Sequence, residues 1–312
     1  MRPCPSPISV SAVRVLVTGS VGGFVGPWLS RHLSECGDEV IELPLEVDVR
    51  DAGALTARLT AAKPEVVYHL AALSSVRQSW DDPATTFAVN VLGTLNLCNA
   101  AARLPQPPRV LVISSSEVYG KVEPADLPAK ESHPFAPVDP YAASKAAAEL
   151  VGLQAWLGRG LEVIRVRPFN HTGPGQNENF VVPALASQVA AVASGEAKYI
   201  TVGNLDVRRD LTDVRDVVRA YRLVMQRGVP GEVYNICRGE SFLMSDVLRR
   251  LMEAACVEAP VVVDPHRFRP ADVPDQVGDP GRLRELTGWL PRIPLSQTLA
   301  DILQSQRRLR QA

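Results

Sequence analysis

The sequence predicts an α/β fold, a doubly wound parallel sheet followed by a smaller C-terminal lobe. Residues 13–18 form a compact apolar run that ends in glycines, which is typical of a buried parallel strand. Strand-like and helix-like segments then alternate as far as residue 166, and this alternation indicates right-handed βαβ units. Beyond Arg167 the alternation loosens and proline and glycine become denser, which indicates the second lobe.

Each element has the length that this arrangement requires. The pattern predicts helices over residues 24–36, 52–62, 83–103 and 140–157, with strands over residues 39–43, 65–70, 109–114 and 161–166 between them. Residues 213–236 are expected to return to the main sheet. The predicted organisation is a domain of residues 12–169 with 206–237, a lobe of residues 170–205 and 238–312, and a flexible tail of residues 1–11.

Composition excludes several classes of function. The 312 residues are 46% hydrophobic and carry a net charge of −1, so we expect neither a nucleic-acid partner nor an anionic membrane surface. The apolar runs are too short to span a bilayer, and the N-terminal segment lacks the apolar centre of a signal peptide. Five cysteines and five histidines are scattered, which predicts no disulfide framework, no metal site and a reducing, cytoplasmic location.

A glycine-rich turn, Thr18 to Gly26, joins the first strand to the first helix. At this position the pyrophosphate of a dinucleotide rests against a helix N-terminus, and glycines let the backbone approach it closely. A tight turn without a ligand is the alternative. The second strand ends at Glu42 with no arginine beside it, and a carboxylate there repels a ribose 2′-phosphate. The predicted cofactor is NAD, with NADP left open.

Tyr141 and Lys145 lie four residues apart, after a triple serine at residues 114–116. On a helix this spacing puts the phenol and the ammonium on one face. An ammonium beside a phenol lowers the phenol's pKa from about 10 toward neutrality, so the phenol can exchange a proton with an alcohol or ketone. The same spacing occurs on ordinary exposed helices, and the rest of the chain must decide between the two interpretations.

Six motifs in register give this chain a resemblance to the extended short-chain dehydrogenase/reductase superfamily. They are the glycine-rich loop, His69-Leu70-Ala71-Ala72, Asn90-Val91-Leu92-Gly93-Thr94, the segment from Ser114 to Gly120, Tyr141-Ala-Ala-Ser-Lys145 and Arg167-Pro168-Phe169-Asn170. The C-terminal half resembles the nucleotide-sugar branch, in particular GDP-6-deoxy-4-keto-D-mannose reductases and GDP-mannose 4,6-dehydratases. The motifs there are Asn170 to Gln176, Gly203-Asn204-Leu205, Arg209-Asp210, Arg269-Pro270 and Gly288-Trp289.

The resemblance implies a Rossmann domain and three groups of site residues. The implied catalytic residues are Ser115, Glu117, Tyr141 and Lys145. The implied cofactor-binding residues are Gly19, Gly22, Gly23, Phe24, Val25, Gly26, Glu42, Asp48, Val49, Leu70, Ala71, Ala72, Asn90, Tyr141, Lys145 and Pro168. The implied substrate-binding residues are Ser74, Ser115, Glu117, Asn170, Val181, Val182, Lys198, Arg209, Arg269 and Asp272.

Within these groups the resemblance implies separate roles. Tyr141 would donate the proton, Ser115 would hydrogen-bond the reacting oxygen, and Lys145 would hold the nicotinamide ribose. Arg209 would face the sugar nucleotide, Arg269 would meet its diphosphate as a planar guanidinium fork, and Asp272 would accept hydrogen bonds from its ribose.

Two further consequences of the resemblance concern assembly and the loop. The helices over residues 83–103 and 140–157 would form a homodimer interface to which Leu95, Leu97 and Leu150 contribute. The glycine loop has one residue more than the family pattern at Gly22-Gly23, so its turn must bulge or use a different glycine. No metal is implied.

The predicted function is NAD(P)H-dependent reduction of a GDP-linked 4-keto-6-deoxyhexose. The alternative is a GDP-mannose 4,6-dehydratase, or another nucleotide-sugar dehydratase or epimerase, in which Glu117 would remove the proton from the fifth carbon of the sugar. A non-catalytic nucleotide-sensing protein is a third hypothesis, supported only by the extra loop residue.

Overall fold

The computed structural model describes residues 12–268 and 272–311. The predicted flexible tail and Arg269 lie outside the described residues. Within them the predicted fold class is confirmed: a parallel six-stranded sheet is flanked by helices on both faces. The division into domains stays a prediction, because chain order alone does not show which parts fold independently.

The main sheet has the strand order β2-β1-β3-β4-β5-β10 and is parallel throughout. Its strands are β1 (Arg14–Thr18), β2 (Glu39–Glu42), β3 (Val66–His69), β4 (Arg109–Ile113), β5 (Val163–Pro168) and β10 (Val233–Ile236). The order reverses on the two sides of β1, and ligands of such sheets bind beyond the carboxyl ends of the strands at this point. Thr18, His69 and Val112 are register partners there.

Helices cover both faces of the sheet because apolar strands need a partner layer on each side. The helices of the first half are α1 (Val25–Glu35), α2 (Ala52–Ala62), α3 (Val76–Asp81), α4 (Pro83–Phe87), α5 (Gly93–Ala101) and α6 (Pro140–Arg159). The later helix α8 (Val214–Arg227) packs beside α1, and its buried residues Val217 and Tyr221 join the core under one face.

The predicted helix over residues 83–103 is divided in the structure. A five-residue π-helical turn, Ala88–Leu92, separates α4 from α5. The sequence pattern also missed α3, a six-residue helix whose N-cap Ser75 accepts a hydrogen bond from the backbone N–H of Gln78. Leu97 is fully buried in the core against the sheet, so the prediction that it contributes to a subunit interface is wrong.

The C-terminal lobe, defined here by its own hydrophobic core, is built from three helices and small sheets. Its helices are α7 (Val181–Ala193), α9 (Met244–Ala255) and α11 (Leu295–Gln311), and α10 (Gly281–Thr287) packs on α8 and β10. Its strands are β7 (Ile200–Val202), β8 (Arg208–Asp210), β11 (Ser241–Leu243), β12 (Val261–Val263) and β13 (Asp275–Gln276), and β6 (His171–Thr172) pairs with β9 (Thr212–Asp213) between the lobes. The strand β13 runs parallel to β8 and carries residues toward the edge of the main sheet.

Two absences concern the described residues only. No helix among them is long and apolar enough to cross a membrane. In the same part of the chain, no three His, Cys, Asp or Glu side chains are grouped so that they could hold a metal ion.

Candidate active site

The glycine loop approaches β3 so closely that side chains are excluded. Gly19 has φ +69°, and a Cβ on it would lie 2.7 Å from the backbone N of Ala71. A Cβ on Gly26 would lie 2.5 Å from the Cα of Ser20. Gly22, at the extra residue, has φ +76°, and a Cβ on it would meet the side chain of Leu45 at 3.7 Å. The loop therefore keeps its tight approach in spite of the insertion.

The first helix begins directly after this loop with open backbone donors. Its N-cap, Phe24, makes no side-chain capping hydrogen bond, so the first backbone N–H groups of α1 have no cap partner. The same ring stacks on His171 at a centroid distance of 6.2 Å. A helix start of this kind, behind glycines that no side chain could replace, fits the pyrophosphate of a dinucleotide.

A chain of hydrogen bonds connects the glycine loop to the next helix through His69. Thr94 Oγ1 donates to the carbonyl of Asn90 at 2.6 Å, so it accepts the proton of His69 Nε2 at 3.1 Å. The Nδ1 atom of His69 then accepts from Thr18 Oγ1 at 2.8 Å, and that hydroxyl accepts from the backbone N–H of Ala71. Burial lowers the pKa of His69 to about 3, which keeps the ring neutral as this chain of donors requires.

The π-helical turn places Asn90 beside the catalytic helix. Its Nδ2 donates to Ser144 Oγ at 2.9 Å and to the carbonyl of Leu73 at 3.0 Å, and its Oδ1 accepts from the backbone N–H of Leu73. Ser144 in turn donates to the carbonyl of Tyr141 at 2.7 Å. π-helical turns are frequent at functional sites, and here the turn brings the amide of Asn90 to the first turn of α6.

Ser115, Glu117 and Tyr141 come together at the carboxyl edge of the sheet. Ser115 Oγ caps the 3-10 turn Ser116–Tyr119 by accepting from the backbone N–H of Glu117 at 3.2 Å. Tyr141 is hydrogen-bonded to Ser115, and Asp139 caps its helix. Burial raises the pKa of Tyr141, and the nearby carboxylates of Glu117 and Asp139 act in the same direction. The expected lowering of this pKa by Lys145 is therefore wrong for the protein alone, because desolvation of the phenolate dominates.

Lys145 is enclosed one helical turn after Tyr141. Its side chain is buried, and desolvation lowers its pKa to about 8, while the carboxylate of Glu149 opposes this shift. Ser114 Oγ donates to the carbonyl of Lys145 at 3.4 Å. The backbone of Lys145 is thus tied to Ser114, and its side chain is enclosed with a pKa well below the ordinary value for lysine.

A buried ion cluster lies one turn further along α6. Glu149 has no exposed surface and accepts from Arg167 at 2.8 and 2.9 Å and from Arg165 at 3.1 Å. Arg167 also donates to the hydroxyl of Tyr119 and to the carbonyl of Glu131, each at 3.0 Å. One guanidinium therefore joins α6, the turn that follows Ser115, and the end of β5 at Pro168.

The remaining predicted cofactor residues surround the ends of β1 to β3. Glu42 is exposed at the end of β2, and Leu70 to Ala72 follow β3. Arg50 donates to both oxygens of Asp48, which lowers the pKa of that carboxyl. Asn96 donates to the carbonyl of Val49 at 3.1 Å and fixes this loop against α5.

On the substrate side, Arg209 and Asp272 form one ion pair. Arg209 is buried and donates to Asp272 Oδ1 at 2.9 Å and to the carbonyl of Val273 at 2.7 Å. Asp272 also accepts from Asn204 Nδ2 at 3.0 Å. Asn170 follows β5, and its Oδ1 is buried with no hydrogen-bond donor among the described residues. The ion pair brings two of the predicted substrate residues together.

Four predicted substrate residues lie elsewhere or face another way. Ser74 is exposed in the loop before α3, and Val182 packs in the core of the C-terminal lobe, so that only its backbone can meet a ligand. Val181 is exposed at the start of α7. Lys198 lines an open cleft of about 600 Å³ with Glu178, Tyr199 and Arg310, and none of the catalytic residues lines this cleft.

Sequence reasoning missed Gln276. This residue on β13 is buried, and its Nε2 donates to Glu117 Oε2 at 2.9 Å. The contact joins residues 159 positions apart in different lobes, so no local pattern could have found it. Gln276 therefore brings a side chain of the C-terminal lobe into contact with the serine turn.

Comparison with known proteins identifies relatives of this chain. Residues 44–302 match the family model described as GDP-mannose 4,6 dehydratase. The GDP-6-deoxy-D-mannose reductase of Pseudomonas aeruginosa is 39% identical over 293 residues, which cover 93% of this chain and 96% of that protein. A GDP-mannose 4,6-dehydratase of Vibrio cholerae serotype O1 is 30% identical and covers 83% of this chain and 77% of its own length.

Solved structures agree with this. RMD from Pseudomonas aeruginosa complexed with NADPH superposes with a TM-score of 0.88 at 37% identity, covering 95% of this chain and 99% of that chain. UDP-glucose 4-epimerase of Thermus thermophilus, in complex with NAD, has a TM-score of 0.84 at 30% identity and covers 94% and 99%. With its Rossmann sheet, its glycine loop and its Ser115–Tyr141–Lys145 edge, this chain belongs to the GDP-mannose 4,6-dehydratase family of extended short-chain dehydrogenases/reductases.

Proposed function

We propose that this protein is an NAD(P)H-dependent oxidoreductase that reduces a GDP-linked 4-keto-6-deoxyhexose. The observation that carries the proposal is the hydrogen bond between Ser115 and a Tyr141 phenol whose pKa burial raises. A phenol that stays protonated is suited to give its proton to a carbonyl oxygen. The similarity to a reductase that spans nearly the whole chain supports the same direction.

Each residue of the site has a separate role in the proposed reduction. When bound, the reduced nicotinamide supplies the hydride that the keto carbon takes up. Ser115 orients the keto oxygen by hydrogen bonding, and Tyr141 donates the proton that this oxygen acquires. Lys145 binds the ribose and places a positive charge near the phenolate that remains. Gly19, Gly26 and the start of α1 would hold the pyrophosphate, because backbone atoms line the space where a Cβ on either glycine would lie.

A GDP-mannose 4,6-dehydratase is the second candidate. Glu117 donates its backbone N–H to Ser115 Oγ, and its carboxylate raises the pKa of Tyr141. A base that removes the proton from the fifth carbon of the sugar would be needed at this position. The 30% identity to a dehydratase supports this candidate more weakly.

One experiment separates the candidates. Incubation with GDP-4-keto-6-deoxymannose and NADPH should consume the reduced cofactor at the rate at which a GDP-deoxyhexose forms. Conversion of GDP-mannose to the 4-keto sugar without net cofactor change would instead support the dehydratase. Retained binding of GDP-mannose and cofactor without either reaction would support the sensing protein.

The proposal also includes assembly and location. The surface of α4 to α6 carries exposed apolar side chains at Phe87, Leu92 and Leu150, on neighbouring helices. Such a stripe fits a two-fold interface with a second copy of this chain. The four described cysteines are unpaired, which suits the reducing cytoplasm.

A further inference from the structure

Gln276 faces the catalytic turn with one amide end satisfied and the other unsatisfied. Its Nε2 donates to Glu117 Oε2 at 2.9 Å, and this contact sets the amide with its oxygen on the other side. The Oε1 atom is then buried, and no described residue donates to it. Buried acceptors without donors are rare in proteins and call for a specific cause.

The position of this acceptor suggests the cause. Glu117 lies two residues after Ser115, and its backbone N–H donates to Ser115 Oγ. It is also close enough to Tyr141 to raise the pKa of that phenol. On the other side, β13 pairs with β8, so Gln276 is the register partner of Arg209. Gln276 therefore lies between the reacting groups and the arginine expected to face the sugar nucleotide, where the sugar ring must be.

We propose that Gln276 is a specificity-determining residue whose Oε1 accepts a hydrogen bond from a hydroxyl of the bound sugar while its Nε2 holds Glu117 in place. The inference rests on the proposed nucleotide-sugar function and names a contact of that same site. A sugar hydroxyl supplies the missing donor. Oε1 is enclosed in this structure, so the side chains around it must shift to admit the hydroxyl, while the contact between Nε2 and Glu117 is kept.

The test compares two ligands that differ only in the sugar. For Gln276→Leu, calorimetry should show affinity for GDP-mannose reduced about 3- to 10-fold, the size expected for one hydrogen bond, with affinity for GDP unchanged. Gln176→Leu is the matched control, because Gln176 is also buried but both its amide ends are satisfied, by Thr172 and by the carbonyl of His171. The control should change the two affinities equally.

A second comparison uses GDP-mannose analogues that each lack one hydroxyl. One of them should bind the unaltered protein more weakly than GDP-mannose does, and Gln276→Leu should bind it as well as it binds GDP-mannose. Gln276→Glu, which keeps the acceptor but faces Glu117 with a second carboxylate, should lower turnover more than affinity. Equal loss for GDP and GDP-mannose in Gln276→Leu, or no loss for either, would overturn the inference.

The test of the Gln276 contact can be distinguished from the test of the proposed reduction. A protein that oxidises no NADPH but loses sugar-dependent affinity in Gln276→Leu would refute the reductase and keep the contact. Unaltered protein that binds GDP-mannose no more tightly than GDP would overturn the contact whatever the reaction.

Discussion

At the scale of single residues, the site depends on how burial sets the charge of each group. Desolvation raises the pKa of Tyr141 and lowers the pKa values of Lys145 and His69. The phenol is therefore kept protonated, the pKa of the lysine lies well below its ordinary value, and the histidine stays neutral inside its hydrogen-bond chain.

The proton donor can be removed with little change in shape. Tyr141→Phe should lower turnover at least about 100-fold, the scale of general-acid loss, and should leave cofactor affinity unchanged. Steady-state kinetics and cofactor titration check this. Tyr234→Phe is the control, because its hydroxyl also makes one hydrogen bond, to the backbone N–H of Val229, away from the site. Near-normal turnover in the Tyr141 variant would refute its role.

The charge of Lys145 should appear in the pH dependence. With a pKa of about 8, kcat/KM should fall above that pH as the ammonium loses its proton. Glu149 favours the charged form, so Glu149→Gln should lower this pKa and move the basic limb to lower pH. The exposed carboxylate of Glu162 offers the control Glu162→Gln, whose pH profile should match that of the unaltered protein. An unmoved limb in Glu149→Gln would contradict the assignment.

Cofactor choice is predicted to depend on Glu42. The unaltered protein should prefer NADH, and Glu42→Ala should narrow or reverse the preference by removing the repulsion of a 2′-phosphate. Ratios of kcat/KM for NADH and NADPH measure it. Glu39→Ala, on the same strand but paired with Arg14 at 3.2 Å, should leave the ratio unchanged. A preference for NADPH in the unaltered protein would show that another residue selects the cofactor.

At the scale of elements, one ion cluster joins segments that carry predicted catalytic residues. Arg165 and Arg167 share Glu149, and both are buried. Arg167 reaches Tyr119 in the turn after Ser115, whereas Arg165 reaches the carbonyl of Gly231 near the opposite end of the sheet. Because both arginines are buried but have different second partners, variants of the two can be compared directly.

Arg167→Lys should lower turnover about tenfold or more, because an ammonium cannot hold Glu149 and Tyr119 together as the planar fork does. Arg165→Lys should lower thermal stability but leave turnover nearly unchanged. The melting temperature, kcat and KM for the sugar nucleotide, measured for both variants, test these expectations. Equal losses of turnover would mean that the cluster only stabilises the core.

Periodic patterns predicted the elements far better than the contacts between them. The long helices and buried strands were found because apolar residues repeat with the period of each element. The π-helical turn was missed because one extra residue barely changes that pattern, and α3 was missed because it has only six residues. The Ser115–Tyr141 contact lay in recognisable motifs, whereas Gln276 and the Glu149 cluster depend on contacts between distant segments.

At the scale of the whole molecule, the exposed apolar surface of α4 to α6 is the surface that we propose for the dimer. Leu150→Glu should convert the proposed dimer to a monomer, because it would bury a charge in the proposed interface. Leu290→Glu is the control, since Leu290 is 50% exposed and Leu150 is 51% exposed, but Leu290 lies outside this surface. Light scattering at micromolar concentration measures the mass. A monomeric unaltered protein would reject the dimer.

The π-helical turn sets the rotation of α4 relative to α5 about the helix axis, and the geometry of the site depends on that rotation. Each residue of an α-helix turns the chain by about 100°, so deleting one residue from Ala88–Leu92 would restore a regular helix and rotate α4 relative to α5 by about that angle. Either Asn90 would leave Ser144 and Leu73, or Leu97 would leave the core. The insertion therefore lets a single helix meet two demands that a regular one cannot meet at the same time, the packing of the sheet and the support of Tyr141.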